Sequence, residues 1–227
     1  MPDIRYVFND DFEAPLTLAP PDMPLPWLRA WFDDVLDTPI DTLVGCAVWT
    51  DMLMGIDGNV GQRLGSRGDV PHPSPGYWLI DRVQEAMFAA GTDLLHLASE
   101  SAHARGKRCL LGVRVGDAHH GFGKGYALDP RCPTFIHEHP EYRLRKADGS
   151  HDVVFDYTIP AVREHRLAVI DEALSTHDVD GIELDFLRFG RFVPRPATSE
   201  GIAAMTQYVR DVAALLTKHR CGMSRFG

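Results

Sequence analysis

Residues 180–188 read DGIELDFLR, a short segment in which apolar side chains alternate with two acids. Side chains of a β-strand point alternately to opposite faces, so Glu183 and Asp185 share one face while Ile182 and Leu184 share the other. The apolar pair suits a face that is covered by helices. The segment therefore predicts a strand of a helix-covered sheet, with two carboxylates near its carboxyl end.

Further strands are predicted in the part of the chain that precedes this segment. Residues 43–49 (LVGCAVW) and 108–115 (RCLLGVRV) are almost wholly apolar, which is typical of buried parallel strands. Residues 153–157 predict a third strand, which comes before the strand that carries Glu183 and Asp185. Residues 4–8 (IRYVF) would add a strand at the start of the chain.

Helical patterns separate these strands. Residues 77–90 predict a helix, Thr92 caps the next one over 93–105, and Thr158 and Pro160 open another. The remaining predictions are helices over 27–36 and 202–218, an irregular proline-rich stretch over 12–26, and a long loop over 51–76.

The alternation of strands and helices predicts an α/β protein with βα units and a parallel sheet. No GxGxxG follows the first strand, so a dinucleotide-binding fold is disfavoured and a (β/α) TIM-type barrel is favoured. A complete barrel needs about 250 residues, and only four or five units are recognisable. We therefore expect residues 1–227 to form a single barrel-type catalytic domain that is incomplete at the C-terminus or belongs to a longer polypeptide. A smaller, complete α/β domain is the alternative.

Composition excludes several classes of protein. The 227 residues carry 23 Lys and Arg against 32 Asp and Glu, a net charge of −9, which argues against a nucleic-acid partner. No apolar run is long enough to span a bilayer, and residues 1–11 contain no apolar signal segment. The four cysteines, Cys46, Cys109, Cys132 and Cys221, have irregular spacing that favours reduced thiols of a cytoplasmic protein. The sequence does not indicate an oligomeric state.

Glu183 and Asp185 are the first candidates for catalysis. Two like charges side by side are unfavourable, so one pKa should rise, and acid–base chemistry uses such groups. Active sites of barrels lie at the carboxyl ends of the strands, where both acids fall. Asp185 is the first candidate for a catalytic or stabilising carboxylate, and Glu183 is the second. The alternative is an internal salt bridge to Arg114 or Arg188.

Other polar residues follow the predicted strands at the same edge of the sheet. Asp117 and His119 come after the strand over 108–115 and are candidates for substrate contact or proton transfer, or else belong to a solvated surface loop. Arg114 is expected to pair with Asp185 or Glu183. The other candidates for substrate binding are Asn9 and Asp10 (with Asp11 beside them), Trp49 as an aromatic platform for sugar rings, and Arg188.

Histidines allow a different chemistry. His137 and His139 form an HxH pair, with His120 and His151 elsewhere, and such pairs bind zinc in metal hydrolases. The proline that follows places this pair in a turn or short helix, away from the first strand. Exposed, unpaired histidines are therefore favoured, and no metal or cofactor is expected.

The sequence also resembles a known family over residues 4 to about 220. The opening Phe8-Asn9-Asp10-Asp11, the stretch over 115–119 (VGDAH), the element over 139–143 (HPEYR) and the segment over 157–189 are similar to the glycosyl-hydrolase-like TIM-barrel family of bacterial carbohydrate enzymes. The resemblance implies a TIM barrel, a carbohydrate substrate, and acids of the 181–187 strand in the site.

A departure from a second pattern narrows the mechanism. Family-eighteen chitinases share a similar DGIxLDxE pattern, in which the final glutamate donates the proton, and this chain has Leu187 at that position. A chitinase mechanism is therefore disfavoured. The sequence predicts a glycoside hydrolase-like protein that acts on an oligo- or polysaccharide by carboxylate acid–base catalysis. A metal-dependent hydrolase built on the histidines and a non-catalytic carbohydrate-binding remnant are the alternatives.

Overall fold

The computed structural model describes residues 4–49, 52–66, 75–119 and 133–223, with side chains described to residue 219. The strands, in chain order, are β1 (Val7–Asp10), β2 (Thr42–Trp49), β3 (Met52–Leu53), β4 (Gln62–Arg63), β5 (Arg108–Arg114), β6 (Arg143–Arg145), β7 (His151–Phe155) and β8 (Gly181–Asp185). The helices are α1 (Glu13–Leu18), α2 (Pro24–Leu36), α3 (Pro75–Ala89), α4 (Leu94–His103), α5 (Thr134–Glu138), α6 (Pro160–Thr176) and α7 (Ser199–Met223).

The predicted α/β class with a parallel sheet is confirmed. Strands β1, β2, β5 and β8 lie side by side and are all parallel. The short strands β3 and β4 extend the sheet beyond the end of β2. Within the described ranges no pairing joins β1 to β8, so these strands form an open sheet, and closure into a barrel stays a prediction.

Helices cover one face of this sheet. A Cβ built on Gly45 of β2 would lie 2.4 Å from the Cζ atom of Phe12 and 3.1 Å from a methyl of Leu95 in α4. The register places Gly45 beside Leu111 of β5, and Leu111 beside Ile182 of β8. These residues therefore share the helix-covered face, and their sequence neighbours share the opposite face.

The proline-rich stretch over 12–26 was predicted to be irregular, and that prediction is wrong. It contains α1 and the start of α2. Pro15 lies in the first turn of α1, while Pro24 and Pro26 lie in the first turn of α2. The first turn leaves its N–H groups without intrahelical partners, so proline loses no hydrogen bond there.

The strand predicted over 153–157 does not join the parallel sheet. It corresponds to β7, which pairs in antiparallel register with β6 in a separate two-stranded sheet. The loop predicted over 51–76 contains β3 and β4, and α4 is capped by Asp93 and not by Thr92. The Asp93 carboxylate accepts the N–H of His96 at 2.8 Å.

Two further predictions concern the environment of the chain. No helix in the described ranges is long and apolar enough to cross a membrane. Cys46 and Cys109 are buried free thiols, whereas Cys132 lies outside the described residues. Localisation in the cytoplasm stays a prediction.

Candidate active site

The two strand acids lie at the carboxyl end of β8, on the face of the sheet opposite Gly45, Leu111 and Ile182, and both are partly exposed. Glu183 is in register with Gly112 of β5, and Asp185 is in register with Arg114. The N–H of Val115 donates to the carbonyl of Asp185 at 3.0 Å and holds the two strand ends together. The carboxylate of Asp185 accepts the N–H of Leu187 at 2.7 Å, which orients it.

Glu183 is the acid whose environment favours its protonated form. Its side chain is partly buried, and its Oε2 atom is buried without a hydrogen-bond partner among the described residues. Burial and the neighbouring charge of Asp185 raise the pKa of Glu183 above its ordinary 4.5. The raised pKa favours the protonated form of Glu183, which is the form that can donate a proton to a substrate.

Arg114 does not pair with the strand acids, which corrects the prediction from the sequence. Its guanidinium is 1% exposed and bonds Asp117 at 3.1 Å, with Asp11 at 3.7 Å. It also lies over the ring of Trp49, 3.5 Å from the ring centre. Asp117 lies three residues after Arg114, beyond the end of the same strand, and Asp11 follows β1. These two carboxylates, and not Glu183 or Asp185, form the ion pairs of Arg114. The strand acids therefore have no ion-pair partner in the described residues.

Asp117 holds His119 in place. One carboxylate oxygen bonds the Nδ1 atom of His119 at 2.6 Å and the backbone N–H of the same residue at 2.8 Å. Burial acts to raise the pKa of Asp117, but the bonds to His119 and the charge of Arg114 outweigh it and lower the pKa to about 2. Asp117 is therefore an anion that orients the imidazole. The ring of His119 lies edge-on to Phe189, with 5.3 Å between ring centres.

The structure separates the two candidates on β1. Asn9 is in register with Val44 and shares the face of Glu183 and Asp185, whereas Asp10 is in register with Gly45 on the helix-covered face. The carboxylate of Asp10 accepts the indole N–H of Trp31 at 2.8 Å and the N–H of Phe12 at 2.9 Å. Burial raises the pKa of Asp10. Asp10 therefore positions α2 against β1, on the face of the sheet opposite Glu183 and Asp185.

Trp49 and Arg188 differ from Asp10 because both touch the cluster around Arg114. Trp49 is 6% exposed, donates its indole N–H to the carbonyl of Cys46 at 2.9 Å, and has one ring face covered by Arg114. It supports the guanidinium and is not an open platform for a sugar. Arg188 lies 3.5 Å from Asp11, which thus bridges two arginines. Asp11, which the sequence placed beside Asn9 and Asp10, follows β1 directly.

Sequence reasoning missed two buried residues that support the end of β5. The guanidinium of Arg166 in α6 donates to the carbonyl of Arg114 at 3.0 Å, and the hydroxyl of Tyr157 donates to the carbonyl of Val115 at 2.8 Å. Arg166 also donates to the Tyr157 hydroxyl at 3.2 Å. An arginine within the apolar stripe of α6 is the available signal, because buried arginines require acceptors.

Gly116 allows the segments after β5 and β8 to approach each other. A Cβ at this position would lie 2.4 Å from the carbonyl oxygen of Phe189 and 2.6 Å from the ring of Phe192. A glycine is therefore required for this close approach, which brings Phe189 to His119.

The histidines do not form a metal centre in the described part of the chain. His139 bonds Glu141 at 2.9 Å and stacks on Tyr142, with 4.6 Å between ring centres. No group of three or more His, Cys, Asp or Glu side chains arranged to hold a metal ion occurs among the described residues. His120 lies outside them.

Comparisons with known proteins identify the fold. No protein-family model matches the chain, and no curated protein matches it at a significant level. A maltogenic alpha-amylase from Thermotoga neapolitana is similar in structure, with 15% identity, a TM-score of 0.51, and 92% of this chain covered against 43% of that one. An alpha-galactosidase from Thermus thermophilus, in complex with stachyose, has 13% identity and a TM-score of 0.52, with 95% and 39% covered.

The chain therefore spans less than half the length of these two enzymes. A hypothetical protein from Ruminiclostridium thermocellum matches over most of both chains, with 11% identity, a TM-score of 0.50, and 91% of this chain covered against 90% of that one. At these identities the similarity shows the fold alone, which is that of an α/β scaffold also found in glycoside-acting enzymes.

Proposed function

We propose that this chain is a carbohydrate-active protein of the (β/α) barrel type that hydrolyses a glycosidic bond with Glu183 and Asp185. The observation that carries the proposal is the placement of these two acids. They lie side by side at the carboxyl end of β8, opposite the helices, and neither is neutralised by an arginine among the described residues. The fold similarity to an alpha-amylase and an alpha-galactosidase supports a sugar as the substrate.

The two acids have different roles in hydrolysis. Glu183, whose pKa is raised, donates its proton to the glycosidic oxygen as the bond to the leaving group breaks. Asp185 attacks the anomeric carbon or takes a proton from the water that does so. Their Cα atoms lie two strand residues apart, about 6.6 Å. Carboxyl separations of about 5–5.5 Å give retention and ~6.5–9.5 Å inversion, so the anomer of the first product identifies the route.

The neighbouring polar residues serve substrate binding in this proposal. His119, oriented by Asp117, donates to a sugar hydroxyl or relays a proton. Asn9 and Arg188 offer hydrogen bonds from β1 and from the segment after β8. Arg114 positions Asp117 and Asp11 through its ion pairs, and the ring of Trp49 packs against the guanidinium of Arg114.

Release of nitrophenol from a panel of aryl glycosides, together with release of reducing ends from oligosaccharides, tests the proposal. The Asp185→Asn and Glu183→Gln variants should each lose about 10²- to 10⁴-fold in kcat. In the wild type, activity should fall as the pH rises above the pKa of Glu183, because the donor is then ionised. This alkaline limb should disappear in Glu183→Gln.

Matched controls make the losses specific. Asp178→Asn changes an acid three residues before the same strand, and its side chain is 74% exposed. Glu164→Gln changes an exposed acid of α6. Both should keep full activity. Full activity of Asp185→Asn would remove this residue from the mechanism. Sugar binding without turnover in the wild type would contradict hydrolysis and favour a carbohydrate-binding role.

A further inference from the structure

A pocket of about 390 Å³ lies between the β6–β7 hairpin and the segment that follows β8. Its volume falls within the range of roughly 300–1,000 Å³ that is typical of small-molecule sites. The hairpin contributes Leu144, Arg145, Lys146 and Asp152, and the segment after β8 contributes Arg191 and Arg195. Nothing in the proposed hydrolytic chemistry uses these residues.

The pocket is strongly basic although the whole chain is acidic. Four cationic side chains line it, in a chain whose net charge is −9. Its carboxylate, Asp152, is buried and forms an ion pair with Arg191. Arg145, Lys146 and Arg195 form no salt bridge in the described part of the chain, although the charge of Lys146 lies close enough to lower the pKa of Asp148. A local excess of cations against the overall charge indicates a site for an anion.

Two of these cations are held in place by backbone carbonyls. Arg145 donates to the carbonyl of Gly149 at 3.1 Å, and Arg195 donates to the carbonyl of Gly190 at 2.8 Å. Each guanidinium has five donors, so one such bond leaves the others for a ligand. Carboxylates and sulfates match the paired donors of arginine.

The pocket is joined to the candidate active site by one small hydrophobic cluster. Leu144, which lines the pocket, belongs to a cluster with Ala118 and Val154, against which Phe189 packs. Ala118 lies between Asp117 and His119, and the ring of Phe189 contacts that of His119. Arg191 and Arg195 come shortly after Asp185 along the chain. The pocket therefore lies at the same edge of the sheet as the two acids.

We infer that this pocket binds the acidic group, a carboxylate or a sulfate ester, of a saccharide whose neighbouring unit occupies the active site. The inference rests on the proposed function for the identity of the ligand as a sugar. It assigns the protein to acidic glycans, with Lys146, Arg145 and Arg195 as the residues that select the charge. A neutral saccharide would leave these three cations unpaired and would bind more weakly.

Calorimetric titration of the whole chain tests the inference without turnover. The probes are glucuronate, galacturonate and glucose 6-sulfate, each compared with neutral glucose or galactose, and inorganic sulfate as a separate arm. The acidic sugars should bind about tenfold more tightly than their neutral parents. Raising the salt from about 20 mM to about 200 mM should weaken them and leave the neutral sugars unchanged.

Variants of the cationic residues test whether this pocket causes the preference for acidic sugars. Lys146→Gln removes a side chain that has no hydrogen bond or ion pair in the described ranges, so the fold should be unaffected. It and Arg195→Gln should each reduce the preference for acidic sugars about three- to tenfold. Lys218→Gln makes the same charge change on α7, where the side chain is exposed and bonds Asp171. This control should keep the full preference.

Each alternative outcome separates this inference from the proposed function. Equal binding of acidic and neutral sugars, or no binding of any acidic sugar, overturns the inference and leaves hydrolysis to be decided by the Asp185→Asn assay. Binding of inorganic sulfate as tight as that of glucose 6-sulfate would make the pocket a free-anion site and overturn the assignment to a saccharide. A preference for acidic sugars that Lys146→Gln removes supports the inference even when no turnover is found.

Discussion

The Asp117→Asn substitution tests the electrostatic core of the site. Asp117 is 4% exposed, and its pKa lies near 2 in the folded chain against an ordinary 3.8. This difference corresponds to about 2 kcal/mol of folding free energy at neutral pH, since one pKa unit is 1.36 kcal/mol. Because the folded pKa is depressed, the stabilisation is present above the unfolded pKa and is lost as the pH falls. Asparagine keeps the shape and one acceptor but removes the charge that faces Arg114.

Urea unfolding of the wild type and Asp117→Asn at several pH values provides the measurement. The variant should be less stable by at least about 2 kcal/mol near pH 7, and the difference should narrow by about 1 kcal/mol at about pH 3. Asp178→Asn, on an exposed side chain, is the control and should change stability by less than about 0.5 kcal/mol. A difference between wild type and Asp117→Asn that stays constant over this range would refute the assignment of a depressed pKa to Asp117.

Three further predictions concern the surrounding structure. Glu172 accepts the N–H groups of Asn59 and Val60 at 2.6 Å and 3.0 Å, so Glu172→Ala should speed amide hydrogen exchange there and cost about 1–2 kcal/mol in thermal unfolding. Gly116→Ala should cost about 1–3 kcal/mol and lower activity, since the added methyl displaces Phe189; unchanged stability would contradict this contact. Burial raises the pKa of the Cys46 thiol to about 12, so mass mapping should find it unalkylated near pH 8 until urea unfolds the chain.

The sequence was sufficient for the strands that carry the site. The runs over 43–49 and 108–115 and the segment over 181–187 correspond to β2, β5 and β8, with bounds that differ by at most two residues. Continuous apolarity and alternation are local signals, and burial in a parallel sheet is what produces them. The same alternation placed Glu183 and Asp185 on one face.

Non-local pairing is what the sequence could not provide. Residues 153–157 have the composition of a barrel strand, but only the position of β6 makes β7 part of a separate hairpin. Asp11 pairs with Arg114 although the two residues are far apart in the chain, and no local pattern indicates this contact. The faces of Asn9 and Asp10 depend on the register of β1 against β2, which no pattern within a four-residue strand defines.

The central claim is that Asp185 and partial burial together keep Glu183 ready to donate a proton. Carboxyl-carbon NMR titration of the full chain measures this directly and needs no substrate, with Glu183→Gln identifying the resonance. We expect a Glu183 pKa above 4.5 in the wild type, and a lower value in Asp185→Asn because the neighbouring charge is gone. A Glu183 pKa at or below 4.5 that Asp185→Asn leaves unchanged would contradict the claim.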